Sequence, residues 1–86
     1  MIEIKPKFEK GDYIINHNSM DMAIVKGVTK KGYYTFSEYY CAMFDELKDL
    51  KKYTYELQIN YQKFFELCND DEKKKFDDMV KEKKKG

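Results

Sequence analysis

The chain contains no arginine and no tryptophan among its 86 residues. Arginine is the side chain that most often reads guanine and holds phosphate in a bidentate manner. Its absence argues against sequence-specific DNA recognition and against an arginine-based phosphate site. All 17 basic residues are lysines, and 16 acidic residues leave a net charge of +1. Bulk charge therefore does not predict a polyanion-binding protein.

Residues that build catalytic and metal sites are also scarce. Two cysteines, Cys41 and Cys68, and one histidine, His17, fit neither a disulfide framework nor a zinc-binding pattern. Four scattered glycines form no phosphate-binding loop. We expect two reduced thiols, with a bridge between the cysteines as the alternative, and a solvated loop position for His17. No catalytic residue, metal or cofactor is predicted, and the chain is not expected to be an enzyme.

Long apolar runs are missing as well. No segment approaches the ~20 apolar residues that cross a bilayer, and no charged-then-apolar leader is visible. The composition, 42% hydrophobic and 38% charged, suits one small core with a charged surface. We therefore expect a single domain over residues 1–86 in a soluble, cytoplasmic protein. Eight tyrosines and six phenylalanines must supply much of the core.

The first half of the chain has the pattern of a hairpin sheet. Short β-branched and aromatic runs alternate there with glycine turns. The expected strands are Tyr13–Ile15, Met22–Val28 and residues 33–40, and residues 1–7 suit a short edge strand. Gly11 is expected to supply the positive φ of the first turn, and Gly27 to mark a bulge. Residues 16–21 are predicted to be a loop, and residues 41–50 to form one or two helical turns.

Residues 53–61 present two conflicting periodicities. Tyrosine, leucine and isoleucine alternate there with polar residues, which predicts a strand. A heptad spacing from Met43 to Cys68 predicts instead one long helix. We favour the strand, because the alternation is unbroken and a barrel needs a strand to close it.

The C-terminal third is predicted to be helical. Asn60 is expected to cap a short helix over residues 61–68. Asn69 and Glu72 then form a capping-box pattern at the start of a second helix. The narrow apolar stripe of that helix contains Phe76, Met79 and Val80.

The early turns and strands carry a resemblance to a known architecture. The shared pattern is Phe8-x-x-Gly11-Asp12-x-Ile14, then Val25-x-x-Val28, then Gly32-Tyr33-Tyr34-x-Phe36, then Tyr55-Glu56-Leu57. It is similar to the small SH3-like barrels of phages and mobile elements. The resemblance implies a binding scaffold without catalytic residues. The expected fold is therefore α+β: a small SH3-like antiparallel β-barrel over residues 8–60 with a C-terminal helical appendage over residues 61–85.

Lysines and tyrosines lie close together in sequence around the second and third strands. Exposed aromatics with lysines on a small barrel can hold single-stranded nucleic acid, by base stacking and backbone charge. The same tyrosines can instead be core residues and cross-strand partners, which the near-zero net charge favours for most of them. The candidate binding residues are Tyr33, Tyr34, Tyr39, Tyr40, Lys26, Lys30 and Lys31.

The predicted function is a non-enzymatic binding module that acts through protein–protein contacts. The first alternative is a nucleic-acid-binding barrel. The second is an inhibitor of a host defence nuclease, of the anti-CRISPR kind, in which acidic groups at residues 45–49 and 70–78 imitate phosphates. Neighbouring lysines weaken that mimicry, because they cancel the field. No membrane partner is expected, and the oligomeric state stays open.

Overall fold

The computed structural model describes residues 4–85. Its strands are β1 Tyr13–Ile15, β2 Met22–Val28, β3 Tyr33–Cys41, β4 Glu46–Leu47, β5 Glu56–Gln58 and β6 Glu66–Leu67, and its helix is α1 Asp70–Lys85. The strands form an antiparallel sheet in the order β4-β3-β2-β1-β6, and β5 also pairs with β3. The predicted α+β class, with a helix at the C-terminal end, is confirmed. Among residues 4–85, no helix has both the length and the apolar character that a bilayer span requires.

The first three strands form a meander with the predicted bounds, except that β3 runs one residue past residue 40. Gly11 lies in the turn before β1 and has φ +93°. In the same turn, the Glu9 amide donates a hydrogen bond of 2.8 Å to Asp12. The register between β2 and β3 shifts beside Gly27, which confirms the predicted bulge. The edge strand expected over residues 1–7 is not formed by residues 4–7, and residues 1–3 lie outside the described range.

Residues 41–50 form a hairpin rather than a helix. A single 3-10 turn, Ala42–Phe44, follows β3, and β4 then pairs back onto β3. Of the apolar residues of this segment, Met43 and Phe44 lie at the tip of the hairpin and Leu47 lies on β4. One helical turn was therefore predicted correctly, and a second was not.

Residues 53–61 contain a strand, as predicted, but the strand is shorter than the predicted segment. Only β5 is a strand, paired with the start of β3. The Ile59 amide donates to the Gly32 carbonyl at 2.9 Å, and the chain then coils into the 3-10 segment Ile59–Phe64. Asn60 is not its cap, because the N-cap residue is Gln58, which makes no side-chain cap bond. One helix across this region is excluded.

The C-terminal third contributes to the sheet. The predicted helix over residues 61–68 is formed only as far as Phe64, as a 3-10 segment. Phe65 is extended, and β6 then pairs antiparallel with β1. The Cys68 amide continues that pairing by donating to the Tyr13 carbonyl at 2.8 Å. Residues 61–85 are therefore not an appendage beside the sheet. They supply the strand β6 to it, and α1 packs against one of its faces.

The start of α1 confirms the predicted capping box. The Asn69 amide donates to Glu72 Oε1, and the Glu72 amide donates to Asn69 Oδ1, both at 2.8 Å. These bonds satisfy two amides that a helix start leaves without partners. The Asn69 amide is also the main reason that the pKa of Glu72 lies below its usual value.

The core has two halves, one on each face of the sheet. Ile14 and Ile15 are both fully buried although they are neighbours in β1, and neighbouring strand residues point to opposite faces. Ile14 packs with Phe8, Ala23, Val25, Tyr34, Phe36 and Phe65. Ile15 packs with Met22, Cys68 and Phe76 of α1. Within the described range no ladder joins β6 to β4 or β5, so the sheet is open.

Candidate functional site

The most exposed large apolar side chains of the described residues lie at the hairpin tip between β3 and β4. Met43 is 83% exposed and Phe44 is 64% exposed. Single exposed hydrophobics are common on proteins, whereas adjacent ones on a protruding turn are typical of interaction sites. We name residues 42–45 the knuckle.

Backbone hydrogen bonds fix the shape of the knuckle. Asp45 adopts the left-handed conformation, φ +47°, which aspartate tolerates better than most side chains. Its amide donates to the Ala42 carbonyl at 3.1 Å. Directly beneath, the Cys41–Glu46 pair of the ladder closes the hairpin. The two apolar side chains therefore project from a defined turn.

A carboxylate from a different part of the chain braces the first residue of the knuckle. Asp21, at the end of the loop between β1 and β2, accepts the Ala42 amide at 3.0 Å. Its other oxygen accepts the Tyr39 hydroxyl at 2.9 Å. Burial and this hydrogen bond raise the pKa of Tyr39 far above its usual value. Tyr39 also stacks on Tyr55, with ring centroids 5.2 Å apart.

The last residue of the knuckle is held from two further sides. The Tyr40 hydroxyl donates to Asp45 Oδ1 at 2.7 Å, and this bond is the main reason that the pKa of Tyr40 is raised. Lys83, near the end of α1, donates through Nζ to the Asp45 carbonyl at 3.1 Å. The knuckle is thus tied to β3 and to the helix.

The Phe44 ring has a cation beside it. Lys48 Nζ lies 4.9 Å from the ring centroid and 3.3 Å from Glu46 Oε2. A cation over an exposed aromatic face contributes about 0.5–1 kcal/mol. The lysine therefore favours one orientation of a ring that is otherwise open to solvent.

The structure does not gather the four predicted tyrosines into one surface. Tyr34 is fully buried, and its hydroxyl accepts the amides of Lys7 at 3.0 Å and Phe8 at 3.3 Å and donates to Gln62 Oε1. Tyr34 is therefore a core residue, as the alternative interpretation expected, and its ring cannot stack on a ligand. Tyr39 and Tyr40 support the knuckle from below.

Tyr33 and the predicted lysines lie elsewhere on the sheet. Lys30 and Lys31 line a shallow cleft with Tyr33, whose hydroxyl accepts a hydrogen bond from Gln58 Nε2 at 3.1 Å. Glu56 lies in the same cleft and offsets part of its positive charge. Lys26 is exposed on β2 and lines a separate small cavity with Leu50 and Tyr55 among others.

His17 is more constrained than a solvated loop residue. Its side chain is half-exposed, but Nδ1 lies 3.2 Å from Glu66 and Nε2 lies 3.1 Å from Glu72. The residue therefore links the loop after β1 to β6 and to the first turn of α1. Sequence reasoning missed this contact, because both carboxylates lie about fifty residues away along the chain.

Other reactive side chains form no evident centre. Cys41 and Cys68 are free thiols, and burial raises the pKa of Cys68 to about 11. In the part of the chain that the structure describes, no group of three or more His, Cys, Asp or Glu residues is placed to hold a metal ion. The knuckle is thus the best-defined candidate site, and it has the chemistry of a contact surface.

Comparison of the chain with models of protein families, with curated proteins and with solved structures found no match.

Proposed function

We propose that this protein is a non-enzymatic binding module that contacts a protein partner through the knuckle. The observation that carries the proposal is the exposure of Met43 and Phe44, 83% and 64%, on a turn held by Asp21, Tyr40 and Lys83. Holding two large apolar side chains in water is unfavourable unless a partner covers them in use.

The braced backbone supports a binding role for these side chains. A flexible loop loses conformational entropy when it binds, whereas a turn that is already ordered avoids most of that loss. Aromatic anchors that enter a partner's pocket dominate the energy of many interfaces. Because Met43 and Phe44 are exposed side by side at a hairpin tip, their partner should offer an apolar cavity that accepts a phenyl ring and a thioether together.

We further propose that the fold is a small SH3-like barrel and that the protein comes from a phage or mobile element, as the resemblance implies. The Gly11 turn, the bulge at Gly27 and the meander of β1 to β3 support an SH3-like arrangement. A phage or mobile-element origin rests on the sequence pattern alone. A solution structure that measured hydrogen bonds between β6 and the β4 or β5 edge would establish closure of the barrel.

The two alternative functions have less support. Binding of nucleic acid at the predicted residues has less support because the Tyr34 ring is buried in the core. Tyr33 is then the one predicted aromatic residue that lies beside Lys30 and Lys31. Phosphate mimicry by the acidic segments is weakened because several carboxylates have internal partners: Asp45 accepts Tyr40, and Asp77 accepts Tyr13. Neither alternative rests on an exposed, braced surface like the knuckle.

Site-specific photocrosslinking tests the proposal. A photoreactive phenylalanine at position 43 should capture one protein in cells of the source organism, whereas the same group at exposed Tyr53 should not. The captured protein is then purified and its affinity measured by calorimetry. Phe44→Ser should weaken binding by about thirtyfold, the effect of losing an aromatic anchor, while Tyr53→Ser leaves it unchanged. Full affinity of the folded Phe44→Ser variant would overturn the proposal.

A further inference from the structure

We infer that a second surface of this protein, built around the aromatic side chains of Tyr61 and Phe64, binds single-stranded nucleic acid. We name it the platform, and it consists of Tyr61, Phe64, Lys63, Lys5 and Lys7. The platform lies on the 3-10 segment Ile59–Phe64 and the adjoining N-terminal segment, and it shares no residue with the knuckle. The inference goes beyond the proposed function and does not depend on it.

The two rings offer stacking faces at the surface. Tyr61 is 48% exposed and Phe64 is 50% exposed. Their centroids lie 6.1 Å apart and their planes differ by 25°, so the pair is nearly parallel. Every nucleobase has a π-face, and stacking on exposed aromatics holds single strands with little regard to sequence. A duplex hides those faces, so it should bind less well.

Gln62, which follows Tyr61 in the sequence, anchors the platform to the rest of the fold. Gln62 points inward, where its Nε2 donates to the Lys5 carbonyl at 2.8 Å and its Oε1 accepts the Lys7 amide at 2.9 Å. The same oxygen accepts the buried Tyr34 hydroxyl. These bonds hold the 3-10 segment in place and bring the backbone of both N-terminal lysines beside the aromatic pair.

The charge of the platform is positive although that of the whole chain is near zero. Lys63 Nζ lies 5.4 Å from the Phe64 ring centroid. Across residues 4–85, neither it nor Lys5 nor Lys7 belongs to an ion pair. The nearest acidic neighbour of the rings in the sequence, Glu66, lies 3.2 Å from His17 Nδ1. The Lys63 ammonium beside a stacking ring complements a strand of phosphates and bases. Lys7 Nζ, which lies 5.0 Å from the Phe8 ring centroid, adds positive charge on the adjoining N-terminal segment.

The platform fits this ligand better than the cleft of Lys30, Lys31 and Tyr33 does. That cleft contains one ring and a carboxylate, Glu56. The platform contains two half-exposed rings and three lysines. Lysine suffices here, because phosphate contacts in single-strand binding are charge contacts, with no base edge to be read in a bidentate manner.

Fluorescence anisotropy with a labelled oligothymidylate, an oligouridylate and a duplex of equal length tests the inference, and the first two arms separate DNA from RNA. At least one of the two single strands should bind at low salt, and it should bind more tightly than the duplex. The logarithm of the association constant should fall with that of the salt concentration with a slope of about −2, because three lysines each contribute about −0.7. Absence of saturable binding to both single strands at low salt would overturn the inference.

Matched substitutions locate the site. Tyr61→Ala and Phe64→Ala should each weaken binding about tenfold, and Lys63→Gln should reduce the salt slope by about 0.7. Tyr53→Ala is the control, because Tyr53 is also an exposed aromatic residue with a lysine over its ring, and it should leave binding unchanged. Equal loss from the control would overturn the inference.

Amide chemical shifts of the unsubstituted protein give a readout that does not depend on how the variants fold. Addition of the oligonucleotide that binds should shift the amides of residues 61–64 and of Lys5 and Lys7. Shifts confined to residues 29–33 would place the ligand in the other cleft and overturn the inference. Loss of binding in a variant whose circular dichroism is unchanged supports it.

Discussion

The hydroxyl of Tyr39 donates a 2.9 Å hydrogen bond to Asp21, and that carboxylate accepts the Ala42 amide through its other oxygen. One side chain at the end of a loop therefore orients a β3 tyrosine and the first residue of the knuckle together. The Tyr39 ring is also stacked on Tyr55. The knuckle thus depends on contacts between distant parts of the chain.

Substitution of Tyr39 by phenylalanine tests this relationship. Tyr39→Phe keeps the stacked ring and removes one hydrogen bond to a carboxylate, so the free energy of unfolding should fall by about 1–2 kcal/mol. Urea denaturation measures it. Tyr53→Phe is the control, because that ring is 55% exposed, and it should change the free energy by less than about 0.5 kcal/mol. Equal effects of the two changes would contradict the bracing role.

Alkaline pH should destabilise the fold through the same tyrosine. Burial, followed by the Asp21 hydrogen bond, raises the pKa of Tyr39 in the folded state above the ordinary value of 10.0. The unfolded chain therefore loses this proton first as pH rises. The contribution to stability is full below about pH 10 and is lost progressively above it.

Urea titrations between about pH 9 and pH 11 would measure that loss. Tyr13 and Tyr40 have raised pKa values as well, so the Tyr39→Phe variant should retain a shallower dependence rather than none. Identical slopes for the variant and the unsubstituted protein would show that Tyr39 takes no part in it.

The buried hydroxyl of Tyr34 should matter more than the exposed one of Tyr33. Tyr34→Phe leaves the Phe8 amide without its acceptor, which should lower the free energy of unfolding by about 1–3 kcal/mol. Tyr33→Phe removes only an exposed bond with Gln58 and should cost less than about 0.5 kcal/mol. Thermal and urea unfolding of both variants would measure the difference. The reverse ranking would contradict the placement of Tyr34 in the core.

Substitution of two asparagines compares a helix cap that the structure contains, Asn69, with a predicted cap that it lacks, Asn60. Asn69→Ala removes the side chain that accepts the Glu72 amide and should cost about 1 kcal/mol. Asn60→Ala should have little effect, because the 3-10 segment begins after Gln58 without a side-chain cap. Urea denaturation of the pair provides the comparison. A larger loss from Asn60→Ala would show that the cap predicted at that position exists in solution.

Removal of the Phe76 ring should unfold the sheet as well as the helix. Phe76 is fully buried against Ile15 and Met22, and deletion of a buried phenylalanine costs about 3–5 kcal/mol. That is much of the 5–15 kcal/mol that stabilises a typical domain. Hydrogen exchange of Phe76→Ala should show loss of protection in β1 and β2 together with α1. Persistent protection in those strands would mean that the helix folds independently of the sheet.

The parts of the fold that local residues determine could be predicted. The Gly11 turn, the bulge at Gly27 and the capping box of Asn69 and Glu72 each depend on neighbours within a few positions, and each was predicted. The alternation over residues 53–61 continued past the true end of β5, because Ile59 bonds to Gly32 and turns the chain. No local pattern marks that contact.

The short β6 strand shows why the remainder was missed. Glu66 and Leu67 form a strand only because β1, about fifty residues earlier, offers its open edge. Two residues carry no detectable periodicity, so the sequence favoured a helix there. The knuckle was missed for a related reason, because residues 41–50 were predicted to form helical turns, whereas the exposure of Met43 and Phe44 depends on the pairing of β3 with β4.

The place of β1 between β2 and β6 has a consequence for how the protein is made. Ile14 and Ile15 leave the ribosome before the segments that cover them, from Phe65 to Phe76, which follow some fifty to sixty residues later. Pairings this distant in sequence form slowly, and an uncovered strand edge invites association with other nascent chains. Translation that stalled before Phe76 would therefore release a chain that aggregates or recruits chaperones.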